Sequence, residues 1–339
     1  FLIPALTPVL LNISLIAAAL LLAGHMQVPV TALAWGVLAA GIAQLLLQVS
    51  ALMRLGLMPR PRWGWRHSGV RRILKLMIPT LIATSVAQVN LLFDSIIATF
   101  LISGSVSWLY YSDRLLEFPL GVLGIALATV ILPNLSQKHA RASKAEFSAT
   151  LDWALRLAVI VTVPAAVGLI VLAGPILTTL FQYDAFQPDD VRMSSYSLIA
   201  YSAGLPAFIA VKVLAPGYYA RQDTRTPVKI AITAMVTNMV LNLAFVGLLL
   251  GYAFAGPHAG LALASSVAAS LNAGLLYRGL RKHQVYTPER GWVRVWLAVI
   301  IACISMGALL LFMNHDLESW LRAGATLRIR NLALAILSG

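Results

Sequence analysis

The stretch "ITAMVTNMVLNLAFVGLLLG", residues 232–251, runs for twenty residues without one ionisable side chain. At about 1.5 Å of rise per residue, such a helix spans about 30 Å, the thickness of the hydrocarbon core of a bilayer. A second stretch, "TPVLLNISLIAAALLLAG" at 7–24, has the same character. Of the 339 residues, 60% are hydrophobic and only 11% charged, with a mean hydropathy of +0.84. A soluble domain carries about 25% charged residues. The period-2 segments of a membrane β-barrel are absent. The fold class is therefore all-α polytopic membrane protein.

Nine complete transmembrane helices and one truncated helix are expected, at about 2–23, 30–53, 70–101, 105–133, 149–173, 189–214, 227–250, 257–280, 291–313 and from 324 onward. Prolines and glycines punctuate the joints: Pro59 and Pro61, Gly104, Gly174-Pro175, Pro227 and Gly256-Pro257. The acidic pair in "QPDD", 187–190, suits the positive N-terminal end of the sixth span.

The basic residues alternate along this scheme. Those between the second and third spans include Arg54, Arg60, Arg62, Arg66, Arg71, Arg72 and Lys75. Lys138, Arg141, Lys144 and Arg156 follow the fourth span, Arg221, Arg225 and Lys229 the sixth, and Arg278, Arg281, Lys282, Arg290 and Arg294 the eighth. Together these hold 19 of the 25 Lys and Arg residues, whereas the intervening connections have none except Arg322 in the last. The positive-inside rule then puts the start of the first span and the end of the tenth on the cytoplasmic side. The net charge of +13 is spread over four separate loops, where it faces anionic lipid. No nucleic-acid module is visible, and no nucleic-acid partner is expected.

The single cysteine, Cys303, lies in an apolar run and offers neither a disulfide nor a thiolate metal site. The six histidines are scattered, and no HExxH, GxSxG, P-loop or Rossmann fingerprint occurs. No metal site or catalytic residue is expected, and an enzyme is disfavoured although Asp113 and Glu117 could formally do acid–base work. The chain opens at Phe1 directly into an apolar segment and stops within another, which reads as an internal piece of a longer protein.

Five ionisable residues within or at the edge of spans are not explained by topology: Asp94, Asp113, Arg114, Glu117 and Lys212. Such groups are expensive in a membrane and usually face a cavity. At about 3.6 residues per turn, Ser107, Tyr110, Arg114 and Glu117 or Phe118 fall on one stripe. Either Asp113, Arg114 and Glu117 neutralise each other at a wet helix end, or Arg114 points into an aqueous cavity with both acids holding it. A guanidinium there suits a phosphate or pyrophosphate, because its fork of donors is always charged. Asp94, with Asn90 one turn before it, is a carboxyl bonded to a neighbouring helix, a ligand for a monovalent cation, or a carrier of a coupling proton. Asn238 and Asn242 are its candidate partners. Lys212 either snorkels to the interface or lines a cavity or gate. Arg221, a second gate candidate, could pair with Asp223 in a tight loop.

The stretch "SGSVSWLYYSDRLLEFPLGVLGIALATVILPNLS", 103–136, resembles the MurJ (MviN) family of lipid II flippases, within the MOP exporter superfamily. Supporting stretches are "FLIPALTPVLLNIS" at 1–14, "NLLFDSIIATFL" at 90–101 and "AYSAGLPAFIAVKVLAPGYYARQDTRTPVKIA" at 200–231. The resemblance implies a fourteen-helix, two-lobe transporter of which this chain holds the fifth to fourteenth helices. Residues 1–58 would be the last two helices of the first lobe, 59–283 the six-helix second lobe, and 284–339 a final pair forming a groove for a lipid tail. It implies a bacterial inner-membrane protein that translocates lipid II, the undecaprenyl-pyrophosphate-linked disaccharide-pentapeptide precursor of peptidoglycan. Arg114 matches an essential cavity arginine of the family, and Asp113, Glu117 and Ser107 match neighbouring polar positions. The remaining essential arginines belong to helices absent from this chain. No cofactor is implied; a monovalent cation (Na+ or H+) at Asp94, Asn238 and Asn242, or the membrane potential, would drive the cycle. Membrane lipids and other cell-wall synthesis proteins are the further partners expected. A related exporter of another polyprenyl-linked oligosaccharide or of small drugs is the alternative, and a membrane enzyme acting on polyprenyl phosphates the more distant one.

Overall fold

The computed structural model describes residues 2–56, 67–141, 143–313 and 317–338. Arg60, Arg62 and Arg66 of the first basic connection, with Pro59 and Pro61, lie outside the described residues. The chain divides into two compact units, 1–72 and 73–339.

In the first unit, α1 (Leu2–Leu21) and α2 (Thr31–Arg54) form an antiparallel pair. Small residues one turn apart, Ala32, Gly36 and Ala40, make the buried face of α2. The Gln44 amide spans the pair and donates to Thr7 O at 2.9 Å. Small residues let helix backbones approach where the surrounding solvent is as apolar as the side chains.

The second unit follows α3 (Ser68–Thr99) with α4 (Ser105–Pro119), a π-helical turn at Leu120–Ile125, and α5 (Ala126–Ala140). Next come α6 (Lys144–Val171), α7 (Ala173–Phe181), α8 (Pro188–Tyr219), α9 (Arg225–Gly251) and α10 (Ala259–Lys282). The last elements are α11 (Trp292–Met313), α12 (Leu317–Arg322) and α13 (Ala325–Ser338). Among the described residues, seven helices are long and apolar enough to cross a membrane, and they include Arg225–Gly251, which contains the opening stretch. The protein is a multi-pass membrane protein. Large apolar side chains such as Ile301, Ile304 and Phe312 of α11 point outward, a surface that is stable facing lipid and would be an aggregation patch in water.

Three boundaries differ from those expected, each for a local reason. The fourth span does not end near 133 but continues as α5 to Ala140. It is interrupted by a π turn that follows Pro119, whose ring nitrogen has no proton for the helical ladder. The fifth begins at Lys144 rather than 149. After that helix ends at Val171, Gly174-Pro175 opens a further short helix rather than a loop: α7 starts at Ala173 with Pro175 in its first turn, where a missing N–H costs nothing.

Helix α8 is the axis of the second unit, packed against α4, α5, α6, α7, α9 and α10. It starts as "QPDD" suggests: Gln187 N donates to Asp190 Oδ2 at 2.8 Å, closing a capping box with Pro188 at the first helical position. It packs tightly against α10 at Gly204, where a Cβ would lie 2.7 Å from the Ser266 Cα. Ser266 Oγ donates to Ala200 O at 2.7 Å across the same crossing. The clash is with backbone, so it cannot be relieved by a rotamer. Gly204→Ala in the full-length protein is expected to cost about 1–3 kcal/mol, measured as a lower thermal midpoint in detergent; an unchanged midpoint would contradict this packing.

Candidate functional site

Helix α4 has two faces of opposite character. Gly104 enters it with φ +102°, a left-handed conformation, and the Trp108 ring lies over Gly104, where a Cβ would come within 2.6 Å. Ser105, Trp108, Leu109, Ser112 and Leu116 form the buried face. Trp108 Nε1 donates to Asp190 Oδ1 at 2.7 Å, and Ser112 Oγ donates to Ser194 O at 2.7 Å. These two bonds fix the rotation of α4 against α8.

That rotation turns Ser107, Tyr110, Arg114 and Glu117 to the exposed side, the stripe expected from helical spacing. Arg114 Nη1 lies 2.5 Å from Glu117 Oε2, and the guanidinium carbon is 4.8 Å from the centre of the Tyr110 ring. Both ion-pair partners remain 52% exposed. The expected arrangement, with two acids holding the arginine, is only half realised. Among the described residues Asp113 forms no ion pair; it is half-buried on the neighbouring face, within electrostatic reach of Arg114 and Glu117 and also of Asp94 and the Tyr201 hydroxyl.

Asp94 and its suggested partners do come together. Asn242 Nδ2 donates to Asp94 Oδ1 at 2.5 Å and to Asn238 Oδ1 at 2.9 Å. Asn90 Nδ2 lies 3.3 Å from Asp94 Oδ2, and Asn238 Nδ2 donates to Ser265 Oγ at 3.2 Å. One carboxylate, three amides and a hydroxyl from α3, α9 and α10 thus share one site. Asn238 and Asn242 are buried, and the Oδ1 atoms of Asn90 and Asn242 are buried without a hydrogen-bond partner. Unpaired buried acceptors beside a carboxylate fit a small hard cation, for which oxygen ligands are the rule. Among the described residues no group of three His, Cys, Asp or Glu side chains is placed to hold a metal ion.

The two gate candidates lie elsewhere. Lys212, exposed on α8, lays its stem across the π turn, its Cγ 3.6 Å from where a Cβ at Gly124 would be. Arg221 is half-buried just after α8. Its suggested pairing with Asp223 does not form: Asp223 Oδ1 instead accepts from Thr226 N at 3.0 Å and closes the first turn of α9. Short-range capping outcompetes a solvated ion pair at a helix start.

Two buried charges escaped sequence reasoning. Asp152 in α6 is 1% exposed and bonded to the 286–292 segment, and Arg328 in α13 is 7% exposed. Asp152 carried a legible signal, an Arg four residues on at Arg156, with which it pairs at 2.6 Å. Arg328 carried none, because the groups it bonds are backbone carbonyls. A cavity of about 630 Å³ lies between α6, α8, α10 and α11, walled by Leu155, Leu214, Tyr277, Tyr286, Trp292 and Trp296. It is apolar and apart from Arg114 and Asp94.

The family model described as "Lipid II flippase MurJ" matches residues 1–329. A "Probable lipid II flippase MurJ" of Haemophilus influenzae is 48% identical over 329 residues, covering 95% of this chain and 63% of the relative. A protein of the same description from Vibrio cholerae is 48% identical over 332 residues, covering 98% and 62%. A "Lipid II flippase MurJ" of Burkholderia cenocepacia is 43% identical over 314 residues, covering 91% and 60%. A solved structure titled "Lipid II flippase MurJ, inward closed conformation" superposes with a TM-score of 0.77 at 25% identity, over 98% of this chain and 65% of that one. An outward-facing MATE-family multidrug transporter of the MOP superfamily shares the fold alone, with a TM-score of 0.53 at 16% identity over 72% of this chain and 55% of that one. The chain thus spans less than two thirds of the length of these relatives. With the match running over nearly all of its own residues, it belongs to the MurJ lipid II flippase family.

Proposed function

We propose that the full-length protein is a flippase that carries lipid II from the inner to the outer leaflet of the bacterial cytoplasmic membrane by alternating access. The physical problem is a pyrophosphate and a sugar-peptide headgroup that hydrocarbon cannot solvate. A cavity open to one side at a time, lined by polar groups that replace water, removes that cost while the polyprenyl tail stays in lipid. The observation that carries this reading is Arg114, held on the open face of a helix whose other face is bolted to α8.

In this mechanism the Arg114 fork grips the pyrophosphate, and Glu117, already 2.5 Å away, takes the guanidinium back when the substrate leaves. Ser107 lies on the same stripe and extends the polar surface, and Asp113 adds a second carboxylate on the neighbouring face. Lys212, lying over the π turn below Arg114, and Arg221 at the basic end are the gate residues. The Asp94, Asn238 and Asn242 cluster takes Na+ or a proton; the orphaned amide oxygens support the cation. Membrane potential adds about 2.3 kcal/mol per charge moved across 100 mV. The basic ends of the helices face the cytoplasm, which puts the start of α1 and the end of α13 there. Residues 1–58 close the first lobe, 59–283 form the second, and 284–339 form the lipid-tail groove. The activity is transport, not catalysis, with other cell-wall synthesis proteins as neighbours.

Arg114→Ala in the full-length protein is expected to abolish growth when it is the only copy, and Arg114→Lys to slow flipping by about tenfold or more, since one ammonium does not reproduce a bidentate contact. Normal growth of Arg114→Ala would remove the assignment. Asp94→Asn is expected to lose any acceleration of flipping by an imposed sodium or proton gradient. Equal gradient responses in variant and parent would rule out coupling at this cluster. Thiol-reactive, membrane-impermeant labelling of Arg141→Cys and Asp184→Cys is expected to reach the first only from the cytoplasm and the second only from outside; the reverse pattern would invert the topology.

A further inference from the structure

Asp152 lies near the start of α6, at the basic end of the unit, and none of its hydrogen-bond partners belongs to α4. Its Oδ1 accepts from Tyr286 Oη at 2.7 Å, Trp292 Nε1 at 2.7 Å and Glu289 N at 3.2 Å. Its Oδ2 accepts from Arg156 Nε at 2.6 Å. Three of these four donors belong to the connection between α10 and α11 or to the first residue of α11. Arg156 adds to the joint: its guanidinium lies 5.5 Å from the Trp292 ring centre and Nη2 donates to Arg290 O at 2.9 Å. One turn earlier, Ser148 Oγ donates to Thr287 O at 3.1 Å and accepts from Thr287 N at 2.9 Å. Burial, then the hydrogen bond to Asp152, push the Tyr286 hydroxyl above its ordinary range, so it stays a donor.

The opposite end of the last helices is fixed by a buried charge of the other sign. Arg328 of α13 donates to Trp320 O at 3.0 Å, Leu321 O at 2.9 Å, Gln182 O at 3.2 Å and Thr178 O at 3.4 Å. These carbonyls close the C-terminal ends of α7 and α12, where helix dipoles present negative charge. Gln182 Nε2 donates to Leu321 O at 3.2 Å, and Arg192 of α8 pairs with Glu318 of α12.

We propose that Asp152 is a positioning residue that clasps α11 to α6, so that α11, α12 and α13 travel with the α6–α8 body as one rigid piece during transport. The inference rests on the transport reading for its consequence and on this geometry for its substance. Pulling α11 off α6 would strip a buried carboxylate of three of four donors, and an unpaired buried charge is among the most destabilising changes a protein can suffer. Anything the final helices hold, a lipid tail included, then moves in step with the body to which Arg114's helix is bolted.

The test uses the full-length protein with Cys303→Ser, reconstituted with lipid II and assayed by leaflet-specific labelling. Ser148 Oγ and Thr287 Oγ1 are 3.2 Å apart, so Ser148→Cys with Thr287→Cys allows an oxidative staple across the clasp. Flipping is expected to be the same with the staple closed or reduced; loss on oxidation with recovery on reduction would overturn the proposal. Asp152→Ala is expected to slow flipping about tenfold and to recover when the staple is closed in that background. Parent-like flipping by Asp152→Ala, or a defect that the closed staple does not relieve, would overturn it too. Spin labels at the lipid-facing Ile160 of α6 and Ile301 of α11 give a readout independent of transport. One unchanged distance with and without lipid II is expected, and a second population displaced by about 5 Å, one helical turn, refutes rigid travel. Failure of the unmodified parent to flip lipid II, with the spin-label distance constant, would count against the substrate reading alone.

Discussion

Inside a bilayer there is no water to satisfy a stray charge or an open backbone group, and this constraint organises the whole chain. Four ionisable groups of the helices are accordingly held by partners. Arg114 sits between Glu117 and Tyr110, Asp94 between two amides, Asp152 within four donors, and Arg328 among four carbonyls. The same constraint explains why proline is tolerated in α5, α6 and α8, where neighbouring helices and polar side chains compensate for the lost donor.

The partnered charges fall into two kinds. Asp152 and Arg328 are nearly inaccessible, and their bonds join elements far apart in sequence, so they hold architecture. Arg114 and Glu117 pair with each other only three residues apart and stay half-exposed, so their pairing leaves both side chains accessible. An exposed pair of this sort contributes little to stability, about 0–1 kcal/mol. Its presence in an apolar chain is therefore the feature on which the proposed transport role rests.

Helix placement was legible because each span needs a long apolar run, and the alternation of basic loops supplied an independent check on the order. The stripe through Ser107, Tyr110, Arg114 and Glu117 was legible too, since helical spacing alone puts these residues together. Asp94 with Asn238 and Asn242 was only a suggestion, because nothing local brings positions 148 residues apart into contact. What stayed hidden has one feature in common. The π turn, the Trp108–Asp190 bond, the Asp152 clasp and the Arg328 carbonyl bonds depend on a neighbour that periodicity does not name. The Arg221–Asp223 pair failed for the converse reason, as an adjacent backbone N–H offered Asp223 a nearer partner.

The π turn at Leu120–Ile125 accommodates more residues than an α-helical turn does. Each added residue advances the azimuth of everything beyond it by about 100°. The polar stripe of α4 is therefore not continued down α5. Positions that ordinary helical phase would stack beneath Arg114 are carried sideways, and the exposed Arg114 stripe ends at the π turn. From Phe118 to Gln137 the chain carries no charge, so the charged face of this span is confined to the half that carries the guanidinium.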